Sequence, residues 1–152
     1  MLFLATVAVC FISALFPVVN AEAYVGTVAV AADDTAVWGL ALTAGSAQMA
    51  GKIIWYQLGR KSLDWRWVRA KLASVKWQTR LARWQHRVQG KRVPVAAFLA
   101  ASALLGIPPF AVVSVLAGQL RVPFALFVLT GFVGRTLRFA AILGGISALP
   151  LP

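Results

Sequence analysis

The sequence predicts an all-α integral membrane protein. The predicted architecture is an inverted repeat of a re-entrant hairpin plus a transmembrane helix, joined by a basic amphipathic cytoplasmic helix. Hydrophobic residues make up 61% of the 152 positions and charged residues 12%, and the mean hydropathy of +0.80 is too high for a soluble domain. Twelve of the fifteen lysines and arginines lie between Lys52 and Arg92. Two apolar stretches are broken by proline, and each precedes an unbroken apolar stretch.

The first unit comprises a broken stretch and a full span. Residues 1–16 and 23–32 are each too short to cross a bilayer, because a transmembrane helix needs about 20 apolar residues. Together they predict a re-entrant hairpin over residues 1–32 with its tip at Pro17. Residues 35–59 are long enough for a transmembrane helix.

The N-terminal apolar run also resembles a secretory signal, because Val19-Asn20-Ala21 is similar to a cleavage site. No lysine or arginine precedes the run, although a basic start is a defining part of such signals. We therefore expect the segment to be retained.

Residues 62–91 predict a cytoplasmic amphipathic helix. At about 100° per residue, its basic residues form one stripe with apolar residues beside it. Tryptophan and basic side chains suit the headgroup layer of an anionic leaflet, so we expect a lipid-surface set: Trp77, Arg80, Arg83, Trp84 and Arg87. Positive residues concentrate in cytoplasmic loops, which places segment 60–92 in the cytoplasm. Interleaved aromatic and basic residues also suit single-stranded nucleic acid, but the tethered stripe already faces lipid, and we predict no nucleic-acid partner.

The second unit repeats the order of the first. Residues 93–120 are broken at Pro108-Pro109 and predict a second re-entrant hairpin, and residues 123–149 predict a transmembrane helix. A cytoplasmic basic segment puts both ends of this hairpin in the cytoplasm and both ends of the first on the opposite side. Opposed units form an inverted repeat, whose discontinuous helices build a substrate site near the midplane. The alternative is two complete helices with proline kinks, since proline is common in membrane helices.

Residue types that support catalysis or metal binding are scarce. Cys10 is the only cysteine and His86 the only histidine, which excludes an intrachain disulfide and a thiolate metal site. The chain has four acidic residues, and only Asp33 and Asp34 are close enough in sequence to act as a carboxylate pair. A hydrolytic triad lacks support. We therefore expect no enzyme, no cofactor and no metal site.

Polar residues within the apolar stretches are the candidate functional groups. An arginine at the centre of a span costs about 2.5–3.5 kcal/mol on insertion scales, so such residues usually face a cavity or a partner. Arg135 and Arg138 share one helix face, and guanidinium groups suit phosphate oxygens. Glu22 follows the first break and could carry a proton or pair with an arginine. The alternatives are that Arg138 reaches an interface and that Glu22 lies in a wet loop.

Four short motifs occur in order around the two breaks. They are Ser13-Ala-Leu-Phe-Pro17-Val-Val-Asn-Ala-Glu22, then Gly51-Lys-Ile-Ile-Trp-Tyr56-Gln-Leu-Gly59-Arg60, then Leu116-Ala-Gly118 with Phe127, and Gly134-Arg135-Thr-Leu-Arg138-Phe139. Together they resemble the DedA family, also called the SNARE-associated or VTT-domain family, and its small YqaA-like branch matches best in length. The resemblance covers roughly residues 13–140.

The resemblance implies a bacterial inner-membrane protein tied to translocation of polyprenyl phosphate or phospholipid and to envelope integrity. By motif position, Glu22 corresponds to the family's hairpin carboxylate, and Arg135 and Arg138 to its essential arginines. The chain departs from the family at Lys52, where many members carry an acidic residue. That change removes one of two carboxylates linked with proton coupling and leaves uncoupled lipid movement open.

Our leading hypothesis is a flippase or scramblase of lipid phosphate. In it Arg135, Arg138 and Arg60 bind the phosphate, and Glu22 adjusts the charge. The expected partners are anionic lipids and polyprenyl phosphate, with a homo-oligomer left open. The alternative is a non-transporting membrane-organising protein whose basic helix docks anionic lipid or a partner.

Overall fold

The computed structural model describes the chain except for residues 17–18, 32–35, 67–69, 71–74, 108 and 148–152 and the side chains of residues 31, 77, 146 and 147. Within these limits every regular element is an α-helix, which confirms the predicted all-α class. The helices are α1 (Leu2–Leu15), α2 (Ala21–Ala31), α3 (Val37–Ser62), α4 (Val75–Gly90), α5 (Arg92–Leu105), α6 (Phe110–Gln119) and α7 (Phe124–Ser147).

The first break separates α1 from α2, as predicted. Pro17, the predicted tip, lies outside the described residues. α2 begins after Asn20 because the side-chain oxygen of this residue accepts hydrogen bonds from the N–H groups of Glu22 and Ala23, at 3.0 and 3.3 Å. Asparagine is one of the strongest N-cap residues. The break is therefore a defined helix start and not a gentle bend.

The second break separates α5 from α6. α5 ends at Gly106, which has a positive φ of 77° and donates its N–H to the Ser102 carbonyl at 2.8 Å. Glycine tolerates this left-handed conformation and commonly ends helices in this way. Pro109 precedes α6 and accepts the Val112 N–H at 3.0 Å. Pro108 lies outside the described residues, and the re-entrant course of both hairpins stays a prediction.

The end of α3 differs from the predicted one. α3 runs three residues past the predicted end at 59, so that Arg60 and Lys61 lie in its last turn. Cations are favourable there because the C-terminal end of a helix is negative. The chain then turns, with the Asp64 N–H donating to the Lys61 carbonyl at 2.9 Å. Positions 63–65 therefore do not belong to the amphipathic helix predicted from residue 62. The described part of that helix is α4, Val75–Gly90, and residues 67–69 and 71–74 before it lie outside the described residues.

The packing of the helices follows the same order in both units. α3 packs against α7 at the centre. α1 packs on α3 and α5 packs on α7, so the first arm of each broken pair contacts the long helix of its own unit. α2 packs on α7 and α6 on α3, so the second arms contact the long helix of the other unit. This exchange is the arrangement expected of a duplicated unit.

The outer surface of the helices is apolar. Large hydrophobic side chains such as Trp38, Val112 and Leu129 are more than half exposed, which is unfavourable in water and natural in lipid. Among the described residues, one helix, Phe124–Gly145, is long and apolar enough to cross a bilayer. α3 is longer, about 39 Å, but its hydropathy is lowered by Gln48 and Lys52. The four short helices are 10–14 residues long.

Two apolar clusters fill the interior. One lies among α1, α2, α3 and α7 and includes Leu40 and Phe139. The other extends from α3 to α7 and contains a row of rings. Tyr56 stacks on Phe127 with ring centroids 4.7 Å apart, and Phe127 stacks on Phe110 at 5.9 Å. The buried polar side chains include Gln48, Lys52 and Arg135.

Candidate functional site

A polar cavity of about 360 Å³ lies where α1, α3, α7 and the start of α2 meet. The polar part of its lining is Ser13, Asn20, Glu22, Gln48, Lys52 and Arg135. The Gln48 amide donates to the Ser13 hydroxyl at 3.0 Å, and that hydroxyl donates to the Cys10 carbonyl at 2.8 Å. Polar and ionisable groups inside an apolar protein are expensive, so the cavity is the first candidate site.

The two long helices carry the same short pattern beside the cavity. In α3 it is Gly-Lys-x-x-Trp over residues 51–55, and in α7 it is Gly-Arg-x-x-Arg over residues 134–138. The glycine packs against Ala14 of α1 in the first unit and against Ala103 of α5 in the second. The next residue is a buried cation in both, 6% exposed in the first unit and 8% in the second. The pattern therefore places two cations at corresponding positions.

The same pattern closes the broken ends of α1 and α5. The Ala14 carbonyl accepts hydrogen bonds from Lys52 Nζ at 2.8 Å and Trp55 Nε1 at 3.0 Å. The Leu104 carbonyl accepts Arg138 Nη1 at 2.8 Å. The last carbonyls of a helix have no partner within it, and hydrocarbon cannot supply one. Side chains from the long helices therefore make the two breaks stable inside a membrane.

Arg138 joins the two broken pairs. Its Nε donates to Glu22 Oε1 at 2.7 Å and its Nη2 lies 2.5 Å from the same oxygen, while Nη1 contacts α5. A Cβ at Gly106 would lie 2.9 Å from Nη1, so glycine there leaves room for the guanidinium. The Arg138 side chain is 20% exposed and that of Glu22 is 41% exposed. The arginine is thus a cross-brace between α2, α5 and α7.

A double-mutant cycle tests the cross-brace. Arg138→Met removes the partner of both Glu22 and the Leu104 carbonyl, and we expect it to lower the free energy of unfolding by about 2 kcal/mol. Glu22→Gln leaves a half-exposed site and should cost about 1 kcal/mol. The loss of unfolding free energy in the double variant should be about 1 kcal/mol smaller than the sum of the losses in the two single variants. Unfolding in mixed micelles measures all three. The cycle of Arg92→Met with Glu22→Gln is the control, and equal coupling in both cycles would contradict the ion pair.

Arg135 is the less satisfied of the two arginines. Its guanidinium carbon lies 5.2 Å from the centre of the Phe110 ring, a cation–π arrangement. Its Nε is buried with no hydrogen-bond partner within the described part of the chain. Arg138 and Lys52 are close enough to repel it, and Glu22 to attract it. A buried donor without a partner is costly, so Arg135 keeps its place as a predicted anion-binding residue.

The structure brings together some of the predicted site residues. Glu22 and Arg135 line the cavity, and Arg138 contacts Glu22 at its edge. Arg60 does not line it. This residue follows Lys52 by eight positions, about 12 Å along α3, and lies exposed beside the Tyr56 hydroxyl. Its phosphate-binding role stays a prediction.

The predicted lipid-surface residues lie on α4. Trp84, Arg80, Arg83 and Arg87 are exposed, and the Arg87 guanidinium lies 5.6 Å from the centre of the Trp84 ring. The side chain of Trp77 lies outside the described residues. Part of the apolar face packs on protein, because Val88 is 9% exposed and belongs to the second apolar cluster. On the same face Leu81 is half-buried and Trp84 is exposed.

Sequence reasoning missed Ser13, Gln48 and Lys52 as members of one site. Ser13 and Gln48 carried no signal, since single small or amide residues are common in membrane helices. Lys52 was treated only as a departure from the family motif. The signal that could have found it is the repeat itself, because Gly51-Lys52 and Gly134-Arg135 are the same pair in corresponding helices.

The fold and the site define an α-helical protein with an apolar outer surface and a polar, cationic cavity beside a broken helix pair. The family model described as VTT domain matches residues 4–147. The chain belongs to the VTT-domain family, which is the DedA or SNARE-associated family, and is therefore a DedA-like membrane protein. A search of curated proteins and a search of solved structures returned no match.

Proposed function

We propose that this protein is a flippase or scramblase of polyprenyl phosphate or phospholipid in the bacterial inner membrane. In this proposal it supports envelope integrity and is not an enzyme. The lipid phosphate enters the polar cavity, and its hydrocarbon part stays in the bilayer. The single observation that carries the proposal is the charge of the cavity and its edge. Three cations, Lys52, Arg135 and Arg138, stand against one carboxylate, Glu22, which leaves two positive charges.

That excess charge needs a counter-ion. Buried charges are paired in stable proteins, because desolvation of a lone ion costs far more than a hydrogen bond returns. The other acidic side chain in the described part of the chain is Asp64, which lies beyond the end of α3. A phosphate group would balance the charge, and a guanidinium can bind two of its oxygens at once.

The topology of the proposal follows the charge pattern. The basic segment 60–92 faces the cytoplasm, the chain passes the membrane several times, and the two broken pairs enter from opposite sides. The exchange of second arms between α3 and α7 supports this inverted arrangement. The first break lines the cavity, and Arg138 connects the cavity edge to the last turn of α5 before the second break; in the proposal these two points give a headgroup access from either leaflet.

Reconstitution tests the translocase. Purified protein in liposomes should move fluorescently labelled lipid phosphate between leaflets faster than protein-free liposomes prepared identically. The readout is the fraction of label that a membrane-impermeant reductant cannot reach as a function of time. Equal rates with and without protein would reject the proposal.

The exposed face of α4 supports the second candidate, a membrane-organising protein. Arg83, Arg87 and Trp84 lie outward on this helix, and each basic residue near an anionic surface contributes about 1 kcal/mol. This candidate predicts binding to anionic vesicles without any lipid movement. Two results together would favour this candidate. The protein would fail to translocate lipid, and it would bind anionic vesicles in a way that Arg83→Ala and Arg87→Ala abolish.

A further inference from the structure

An apolar groove of about 620 Å³ lies directly beside the polar cavity. Its walls come from the end of α1, the second half of α3 and the middle of α6. The side chains that shape it are Phe16, Ile54, Trp55, Leu58, Val112 and Val115. One side chain, Lys52, lines both the groove and the cavity.

Lys52 therefore forms the junction between an apolar and a polar space. A lysine has a hydrocarbon stem and a charged head, and it buries the stem along apolar surface. The ammonium group has three donors, and the hydrogen bond to the Ala14 carbonyl uses one of them. Among the described residues nothing else takes the other two donors, and the side chain is 6% exposed.

We propose that one hydrocarbon chain of an anionic amphiphile occupies this groove while its phosphate lies at Lys52 and Arg135. The inference rests on the proposed function and names the seat of the lipid tail, which the cavity alone does not define. The occupant is a lipid with a phosphate on an alkyl or prenyl chain. Inorganic phosphate lacks the chain and an uncharged chain lacks the phosphate, so each should bind far more weakly than the amphiphile that has both.

Three observations favour this occupant over ordinary contact with bulk lipid. The groove ends at a buried cation, so its inner end is complementary to a negative group. Its outer residues Val112 and Phe16 are 54% and 62% exposed, so a chain can enter sideways from the bilayer. The Trp55 ring forms part of the wall, and its N–H is held by the Ala14 carbonyl, which keeps the groove shaped when empty.

Photo-labelling in detergent tests the proposal. The probe is dodecyl phosphate with a diazirine near the end of its chain, added to purified protein in dodecyl maltoside. We expect the label on residues 54–58 and 111–115, and unlabelled dodecyl phosphate should reduce it about tenfold. Inorganic phosphate or dodecanol at the same concentration should leave it unchanged. Label elsewhere, or equal competition by dodecanol, would overturn the proposal.

Variants separate the head contact from the tail contact. Val112→Trp fills the groove and should remove the label, whereas Leu129→Trp on the outer face of α7 should not. Lys52→Gln should weaken labelling about tenfold or more through the lost charged hydrogen bond, and Lys52→Arg should retain it. Equal labelling in Lys52→Gln and wild type would reject the junction.

The outcomes also distinguish this inference from the proposed function. Translocation by the wild type with no label in the groove would reject the tail site alone. Groove labelling without translocation would reject the translocase and leave a lipid-binding site.

Discussion

Liposomes that contain the double variant Arg135→Ala with Arg138→Ala are expected to move labelled lipid phosphate no faster than protein-free liposomes. The reason is the charge of the polar cavity. Removing both guanidinium groups leaves Lys52 against Glu22, so the site becomes neutral and loses its attraction for phosphate. A hydrogen bond to a charged group contributes about 1.5–3 kcal/mol, and the loss of several of them should reduce phosphate binding beyond detection.

The two arginines have different tasks, and single variants should show it. The Arg135 Nε has no hydrogen-bond partner among the residues that the structure describes, so Arg135→Gln should abolish lipid movement while the protein still unfolds as the wild type does. Arg138 braces three helices, so Arg138→Met should lower stability as well. Arg92→Ala removes an exposed cation at the start of α5 and should leave the rate unchanged. Wild-type rates in Arg135→Gln would contradict the role given to the cavity.

Replacing Gly118 by alanine should lower the free energy of unfolding more than a glycine-to-alanine change at any other described helical position, because it disrupts the contact between α3 and α6. A Cβ there would overlap the Tyr56 carbonyl oxygen and lie 2.8 Å from the Arg60 nitrogen. Gly59 faces the Val115 backbone in the same way from the opposite helix. Backbone atoms cannot rotate away as a side chain can, so α6 must move. Overpacking of this kind costs typically about 1–3 kcal/mol, and we expect the upper end of that range.

Gly145 supplies the matched control. It also lies in a helix, but no atom of the described residues lies within 4 Å of a Cβ built there. Gly145→Ala should raise stability by about 0.5–1 kcal/mol, because alanine loses less backbone entropy than glycine in a helix. The opposite signs are measured as free energies of unfolding in mixed micelles. A Gly118→Ala variant that unfolds like Gly145→Ala would show that the two backbones do not approach this closely.

Much of the helix layout could be predicted because local rules decide it. Proline cannot continue a helix, so both breaks fell where the sequence placed them. The long apolar runs and the cluster of basic residues fixed the order of elements. The ends were less predictable, since α3 continues through Arg60 to Ser62. That extension depends on how the last turn is solvated and on contacts with α6, which the sequence does not display.

The candidate site was predicted only in part. Arg135, Arg138 and Glu22 stood out because charged groups are rare in apolar segments. The ion pair between Arg138 and Glu22 could not be predicted, because the two residues are 116 positions apart in the sequence. In the sequence Lys52 is a departure from the family motif that leaves uncoupled lipid movement open, and only the structure shows that it lines the same cavity as Arg135.

By itself the sequence determined an all-α chain with an apolar exterior, two proline breaks and a basic connecting segment. These follow from hydrophobicity, backbone sterics and charge, which act between near neighbours. The tertiary structure alone decided which arm packs on which long helix, which carbonyls the cations satisfy, and that the polar cavity opens beside an apolar groove. Those features depend on side chains meeting across distant parts of the chain, where packing and the energy of unpaired buried groups select one arrangement.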